Sequence, residues 1–229
     1  MAEASAPPVI WPKRRREIDP DASATCPILY AMLKTVTAAP SLFEPNLPPG
    51  FVYRDDFITR DEESALETEI TALEFSNFEM RGAIARRRVA FFGQSYTAGH
   101  QSPPIPEFLR PLRMRLAEWA EVTPEAFAMS LINEYRPGAP IGWHRDAPQY
   151  ELIAGVSLLA ECRMKLRPYV SPSELAGPTK RPPRKTTHEI TLRPRSAYII
   201  SGPARQRFEH SIPPVTEMRY SITFRTLRS

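Results

Sequence analysis

The residues best able to do chemistry stand together in the second half of the chain. They are Asn133-Glu134-Tyr135-Arg136-Pro137-Gly138, then His144-Arg145-Asp146, with His210 farther on. In extended backbone, residues i and i+2 share a face, so an imidazole at 144 and a carboxylate at 146 aim at one point. His210 offers a third donor. Two histidines and one carboxylate on one octahedral face leave three positions open, a donor set suited to non-haem Fe(II). The C-terminal block Arg219-Tyr220-Ser221-Ile222-Thr223-Phe224-Arg225 alternates. Arg219, Ser221, Thr223 and Arg225 therefore fall on one face, opposite Tyr220, Ile222 and Phe224. Two guanidiniums turned into a β-core are costly unless they meet an anion, and the arginine fork matches a carboxylate. An exposed strand face would accept them cheaply, so the block alone leaves both readings open.

The elements that must hold these residues read as α+β. Phe51 to Ile58 has the pattern of a strand. Thr59-Arg60-Asp61-Glu62 is a capping-box start, and Leu66, Ile70 and Leu73 give a helical stripe. Arg88 to Phe92 is a short strand. A second helix carries Phe108, Leu112, Leu116 and Trp119 to about Glu121, with Pro111 restricting its first turn. Strands follow at 127–135, 152–160, 163–168, 187–193, 196–201 and 219–226. Two helices followed by a run of strands predict helices backing a β-sandwich or barrel.

With 229 residues, 42% hydrophobic and 24% charged, the chain can bury a sizeable core. Its 26 prolines argue for loops and strands over a helical bundle. It has no apolar run of membrane-spanning length and no apolar core of a secretory signal. A cytoplasmic (or nuclear or nucleoid-associated) monomer with no membrane partner is the expectation. Cys26 and Cys162 are too few for a disulfide framework and do not make a Cys-x-x-Cys pair. Residues 1–48 read as a flexible Pro/Ala-rich tail with a basic run, Lys13 to Arg16, and a short helix at Cys26 to Leu33. Residues 49–229 read as a single domain. The net charge of +4 is unevenly spread: 61–79 is acidic, 163–195 is basic, and Arg81 and Arg86 to Arg88 form a second basic cluster. The prolines and basic residues of 171–186 predict an exposed loop. Such a distribution suits a polyanionic partner, or simply a solvated surface.

Taken together, Asn-x-Tyr-x-Pro-Gly, five residues, His-x-Asp, and a distal His followed by Arg-x-x-x-Thr-Phe-Arg resemble the AlkB-type iron(II)/2-oxoglutarate dioxygenases. The resemblance covers roughly residues 50–228. It implies a double-stranded β-helix (jelly-roll) core backed by two or more N-terminal helices, with iron held by His144, Asp146 and His210. By the same resemblance Arg219 meets the distal carboxylate of 2-oxoglutarate with Tyr135, and Asn133 and Arg225 lie near its chelating end. Ser221 stands where many members have Asn. The implied reaction consumes O2 and 2-oxoglutarate, releases succinate and CO2, and hydroxylates an N-methyl group that departs as formaldehyde from alkylated DNA or RNA.

A lid at about 80–99 would grip the nucleotide, with Arg86, Arg87 and Arg88 for phosphates and Tyr96, Trp143 and Arg145 near the base. Phe91 and Phe92 read as core, His100 and His188 as surface residues, and Cys162 as inert. Ala147-Pro148-Gln149-Tyr150 and Ser157-Leu158-Leu159 depart from the DNA-repair members. A methylated protein or small molecule is therefore the alternative substrate, and a non-catalytic basic jelly roll a further alternative.

Overall fold

In the computed structural model, which describes residues 47–80, 83–94, 102–171 and 187–228, Thr59 caps the first helix, α1 (Arg60–Thr71). Its side chain accepts from the Glu62 amide, and Glu62 accepts in return from the Thr59 amide at 2.8 Å. That reciprocal pair satisfies two of the helix's free amides. The described residues all lie within one compact unit, Pro45–Ser229. The second helix, α2 (Arg110–Trp119), follows a 3-10 turn at Glu107–Leu109 and tolerates Pro111 in its first turn. A short helix, α3 (Gly202–Arg207), was not expected from the sequence.

Eleven strands make up the rest of the described fold: β1 (Phe51–Arg54), β2 (Ser76–Met80), β3 (Ala83–Gly93), β4 (Phe127–Tyr135), β5 (Ile141–His144), β6 (Tyr150–Leu158), β7 (Cys162–Pro168), β8 (His188–Leu192), β9 (Ala197–Ile200), β10 (Phe208–Ile212) and β11 (Arg219–Leu227). A seven-stranded sheet runs β1-β9-β6-β11-β4-β3-β2, and a four-stranded sheet runs β5-β10-β7-β8. All pairings are antiparallel. This is the expected jelly roll.

Alternation along the strands sorts the core. Ile132, Ala154, Val156, Leu158, Tyr220, Ile222 and Phe224 pack with Leu66 and Ile70 of α1 and Leu112 and Leu116 of α2. Opposite residues of the same sheet, including Ile153, Tyr198 and Ile200, pack against Met164, Leu166, Ile190, Leu192 and Ile212 of the smaller sheet. Burying an aliphatic side chain of this kind stabilises by about 1.5–3 kcal/mol, so the helices and the small sheet together hold the large sheet rigid from both sides.

Several boundaries differ from the expectation. β1 stops at Arg54 because Asp56 adopts a left-handed conformation (φ 46°) that ends the extended run before Phe57. β3 is longer than 88–92 and pairs with β2, which the acidic composition of 61–79 concealed. So far as it is described (Met80 and 83–94), the expected lid is therefore mostly strand, paired on β4 inside the large sheet. All but the last two residues of the expected tail, Tyr96, His100 and nearly all of the 171–186 loop lie outside the described residues.

Candidate active site

The strand pairing assembles the site before any side chain is considered. On β5 and β10, His144 and His210 are direct cross-strand partners, and neighbours of that kind hold their side chains within contact distance. Their rings are 4.3 Å apart between centroids. On β4 and β11, Tyr135 faces Arg219, Asn133 faces Ser221, and Met129 faces Arg225. The two sequence motifs thus lie in register across one ladder, and the inner rows of both strands open into the same cavity.

β5 ends at His144, so Asp146 sits in the loop beyond it and not in extended strand as the spacing suggested. Its carboxylate nevertheless comes back to the histidines. Donor atoms of His144, Asp146 and His210 all lie within 4.8 Å of one another. Two contacts hold the loop in place. Arg225 donates to Asp146 Oδ1 from Nη2 (2.9 Å) and Nε (3.3 Å). Arg205 of α3 donates from Nη2 to the main-chain carbonyls of Asp146 and Ala147. His144 Nδ1 lies 2.9 Å from the Gly142 carbonyl oxygen, which leaves Nε2 for the cluster.

The electrostatics suit a cation. Burial alone would raise the Asp146 carboxyl, but Arg225, His210 and His144 hold it well below the usual carboxylate range. Burial and the neighbouring His144 ring push His210 down to about 3, against the pull of Asp146, so its imidazole is neutral with a lone pair to give. Two imidazoles and an ionised carboxylate fit Fe(II).

The cavity, about 310 Å3, runs inward from this cluster between the sheets. Arg219 is fully buried at its inner end, with Nε donating to Ser157 Oγ (3.1 Å) and the guanidinium over the Tyr135 ring at 4.9 Å. Its Nη1 has no partner among the described residues. A buried unpaired guanidinium nitrogen is costly, and a carboxylate is the acceptor that would satisfy it. The two arginines of the block are not equivalent, because Arg225 is spent on Asp146, Thr223 and Met129. Asn133 accepts from Arg87 Nε at 3.2 Å and donates to Ser221 Oγ at 3.4 Å. Gly155 is required here, since a Cβ would collide with the Tyr198 ring that lines the cavity.

A family model described as the 2OG-Fe(II) oxygenase superfamily matches residues 76–225, well over half of the chain. The chain belongs to the 2OG-Fe(II) oxygenase superfamily. It is an oxidoreductase that uses Fe(II), 2-oxoglutarate and O2, and the AlkB-type resemblance of its motifs stands. An uncharacterized protein of Acanthamoeba polyphaga mimivirus is 28% identical over 194 residues, 78% of this chain and 85% of that protein. The alkylated DNA repair protein ALKBH8 homolog of Arabidopsis thaliana is 26% identical over 182 residues, 72% of this chain and 51% of its own length. The chain thus spans about half of that relative. Among solved structures, OsALKBH1 superposes with a TM-score of 0.57 at 14% identity, covering 79% of this chain and 99% of that one. The non-heme alpha ketoglutarate dependent epimerase SnoN from nogalamycin biosynthesis gives 0.54 at 16%, covering 78% and 76%.

The residues expected at the substrate separate in the oxygenase. Alternation along β3 sends Arg87 into the cavity and its neighbours outward. Arg87 is buried and Arg86 exposed. Arg88 grips the buried Glu134 carboxylate with Nε and Nη2, both at 2.7 Å. Phe92 enters the helix-backed core, and Phe91 packs on the small cluster of Val89, Met129, Leu131 and Tyr150 while also lining the cavity with Phe78. Trp143 lines a second cleft of about 800 Å3 that His144 and Asp146 share, and Arg145 lines both that cleft and the cavity. There Arg167 stacks over Trp143 at 4.0 Å and Arg145 over Tyr169 at 3.6 Å. His188 is half-buried against Phe208. Cys162 is buried, and burial pushes its thiol up, in keeping with an inert residue.

Residues that sequence reasoning missed are Phe78, Tyr150, Tyr198 and Arg205. The first three announce themselves only through pairing partners distant in the chain, and Arg205 only through α3, which has no apolar stripe.

Proposed function

We propose that this oxygenase removes N-linked methyl groups from alkylated bases in DNA or RNA, acting as a monomer. The His144, Asp146 and His210 cluster at the mouth of a cavity with an unpaired Arg219 at its inner end is the observation that carries the reading. In it the two histidines and Asp146 hold Fe(II), Arg219 and Tyr135 take the distal carboxylate of 2-oxoglutarate, and Asn133, Ser221 and Arg225 line its path to the metal. The bound cofactors supply oxidation of a substrate carbon, with 2-oxoglutarate leaving as succinate and CO2. The protein's part is placement. Arg225 and Arg205 fix the Asp146 loop, apolar Met129, Leu131, Ile153 and Met164 keep the cavity dry, and Phe78 and Phe91 offer flat faces to a planar group. The outer cleft, with arginines stacked on Trp143 and Tyr169, supports a nucleotide strand passing the mouth.

One observation favours a different substrate for the same chemistry. Of the three consecutive arginines, Arg87 is buried and Arg88 is engaged by Glu134, which leaves Arg86 as the exposed one. A methylated protein or small molecule would need no phosphate contacts. Succinate and formaldehyde release, measured on DNA and RNA pools treated with a methylating agent, decides between them. Release of both that depends on iron and is lost in His144→Ala is the expected result. Succinate without methyl loss from either pool would move the substrate to the second class.

A further inference from the structure

One hydroxyl on the cavity wall has no acceptor. Tyr198 of β9 is 6% exposed and lines the cavity. Its Oη makes no hydrogen bond to another described residue, and a buried hydroxyl left in that state is destabilising. Tyr198, Gly155 and Thr223 form one row across β9, β6 and β11. A Cβ on Gly155 would fall 2.6 Å from the Tyr198 Oη, so the phenol leaves its own strand and ends over β6. The Phe51 ring stacks on it, with 6.0 Å between centroids and 8° between planes. The neighbouring hydroxyls of β11 are short and already engaged. Thr223 Oγ1 donates to the Leu131 carbonyl and accepts from Arg225, and Ser221 Oγ accepts from Asn133. β6 and β11 separate Tyr198 from the strands that carry Phe78 and Phe91, so it stands on the far side of β11 from the aromatic corner offered to the substrate. Burial pushes its hydroxyl well above the ordinary value of 10, and of the neighbouring charges Arg219 opposes this most. The group is therefore a protonated donor in the field of Arg219, whose Nη1 lacks a partner among the described residues.

Resting on the reading that seats the distal carboxylate of 2-oxoglutarate on Arg219, we infer that Tyr198 is a further cosubstrate-binding residue, its hydroxyl donating to that carboxylate from above Gly155. A carboxylate has two oxygens, and the wall offers it two unengaged donors, one cationic and one neutral. Gly155 and Tyr198 act as a pair, since the glycine makes the room and the tyrosine supplies the donor. A 2-oxo acid without a distal carboxylate would leave both Arg219 Nη1 and Tyr198 Oη unpaired. A site built to hydrogen-bond a group discriminates strongly against the analogue that lacks it.

Calorimetric titration of the Mn(II)-loaded protein with 2-oxoglutarate and with 2-oxovalerate tests the inference. 2-Oxovalerate keeps the chelating end and carries a methyl group in place of the distal carboxylate. Tyr198→Phe keeps the ring over Gly155 and removes only the hydroxyl. It is expected to weaken 2-oxoglutarate about tenfold and to leave 2-oxovalerate unchanged. Gly155→Ala, which displaces the phenol, should have the same selective effect. The Tm of metal-free Tyr198→Phe should not fall, because the hydroxyl it loses is unpaired there. The rise in Tm that Mn(II) and 2-oxoglutarate give should shrink. Unchanged 2-oxoglutarate affinity in Tyr198→Phe, beside an Arg219→Met protein weakened about tenfold, would overturn the inference and leave the seat on Arg219 intact. Full affinity in Arg219→Met would overturn both. Equal losses for the two acids in Tyr198→Phe, with a lower Tm in the metal-free protein, would make the hydroxyl structural and overturn the inference as well. Tyr198→Phe decides the matter even if Gly155→Ala fails to fold.

Discussion

Arg225 and Asp146 meet at a single carboxylate oxygen. Two guanidinium nitrogens of Arg225 converge on Oδ1, while Oδ2 faces His210 Nε2 at 3.6 Å. One oxygen is thereby fixed by the protein and the other is turned toward the histidines. Both side chains are buried, with 8% and 12% of their surfaces exposed. Removing one partner of such a pair leaves a buried charge unpaired, at a cost of about 3–5 kcal/mol, whereas removing both leaves none. Arg225→Met is expected to lower stability to urea more than the double variant Arg225→Met, Asp146→Asn does. Asp146→Ala should fold but lose both turnover and the rise in Tm that iron and 2-oxoglutarate produce.

Arg219 should behave differently from Arg225, though both lie in one motif. Its Nη1 is the unpaired donor, so Arg219→Met removes a charge-assisted bond to the cosubstrate, worth about 1.5–3 kcal/mol. The KM for 2-oxoglutarate is expected to rise about tenfold or more, with substrate KM little changed. Steady-state kinetics at saturating substrate measures the separation.

Arg86 and Arg88 should divide between binding and stability. Arg86→Ala is expected to lower the slope of log K against log salt for oligonucleotide binding by about 1. Arg88→Ala should leave that slope unchanged. It should instead destabilise the fold by about 1–3 kcal/mol, because Glu134 keeps only Arg136. Equal slopes in all three proteins would place the phosphates elsewhere.

At the start of α1, burial would raise the Glu62 carboxyl, but two bonds from Arg115 (2.9 and 2.6 Å) and one from the Thr59 amide lower it overall. A carboxyl lowered on folding adds stability above its ordinary value of 4.5, and that stability is lost as pH falls through the folded value. Glu62→Gln should therefore cost about 1 kcal/mol at neutral pH and progressively less as pH falls below 4.5 and through the folded value. Urea midpoints of both proteins across that range check the sign.

The amino-acid order by itself determined the features that are local or periodic. Thr59 and Glu62 are three residues apart, so the capping box needs no distant partner. The alternation of 219–225 fixes which side chains share a face whatever the strand packs against, and the motif spacing named the three donors and the family. What only the tertiary structure decided is pairing. β2, β5 and β10 are too short and too polar to be legible alone, yet the register of β5 on β10 sets His144 against His210. Alternation did not say that Arg87 would turn inward, because β3 faces two layers and its neighbour Phe92 shows no local preference for one. Nor could composition tell a free guanidinium from a spent one. Arg88, Arg219 and Arg225 are the same residue in sequence, and their roles differ because Glu134, Asp146 and Ser157 arrive beside them from strands and loops distant in the chain. A buried charge takes its meaning from its nearest opposite charge, and that neighbour is chosen by the fold.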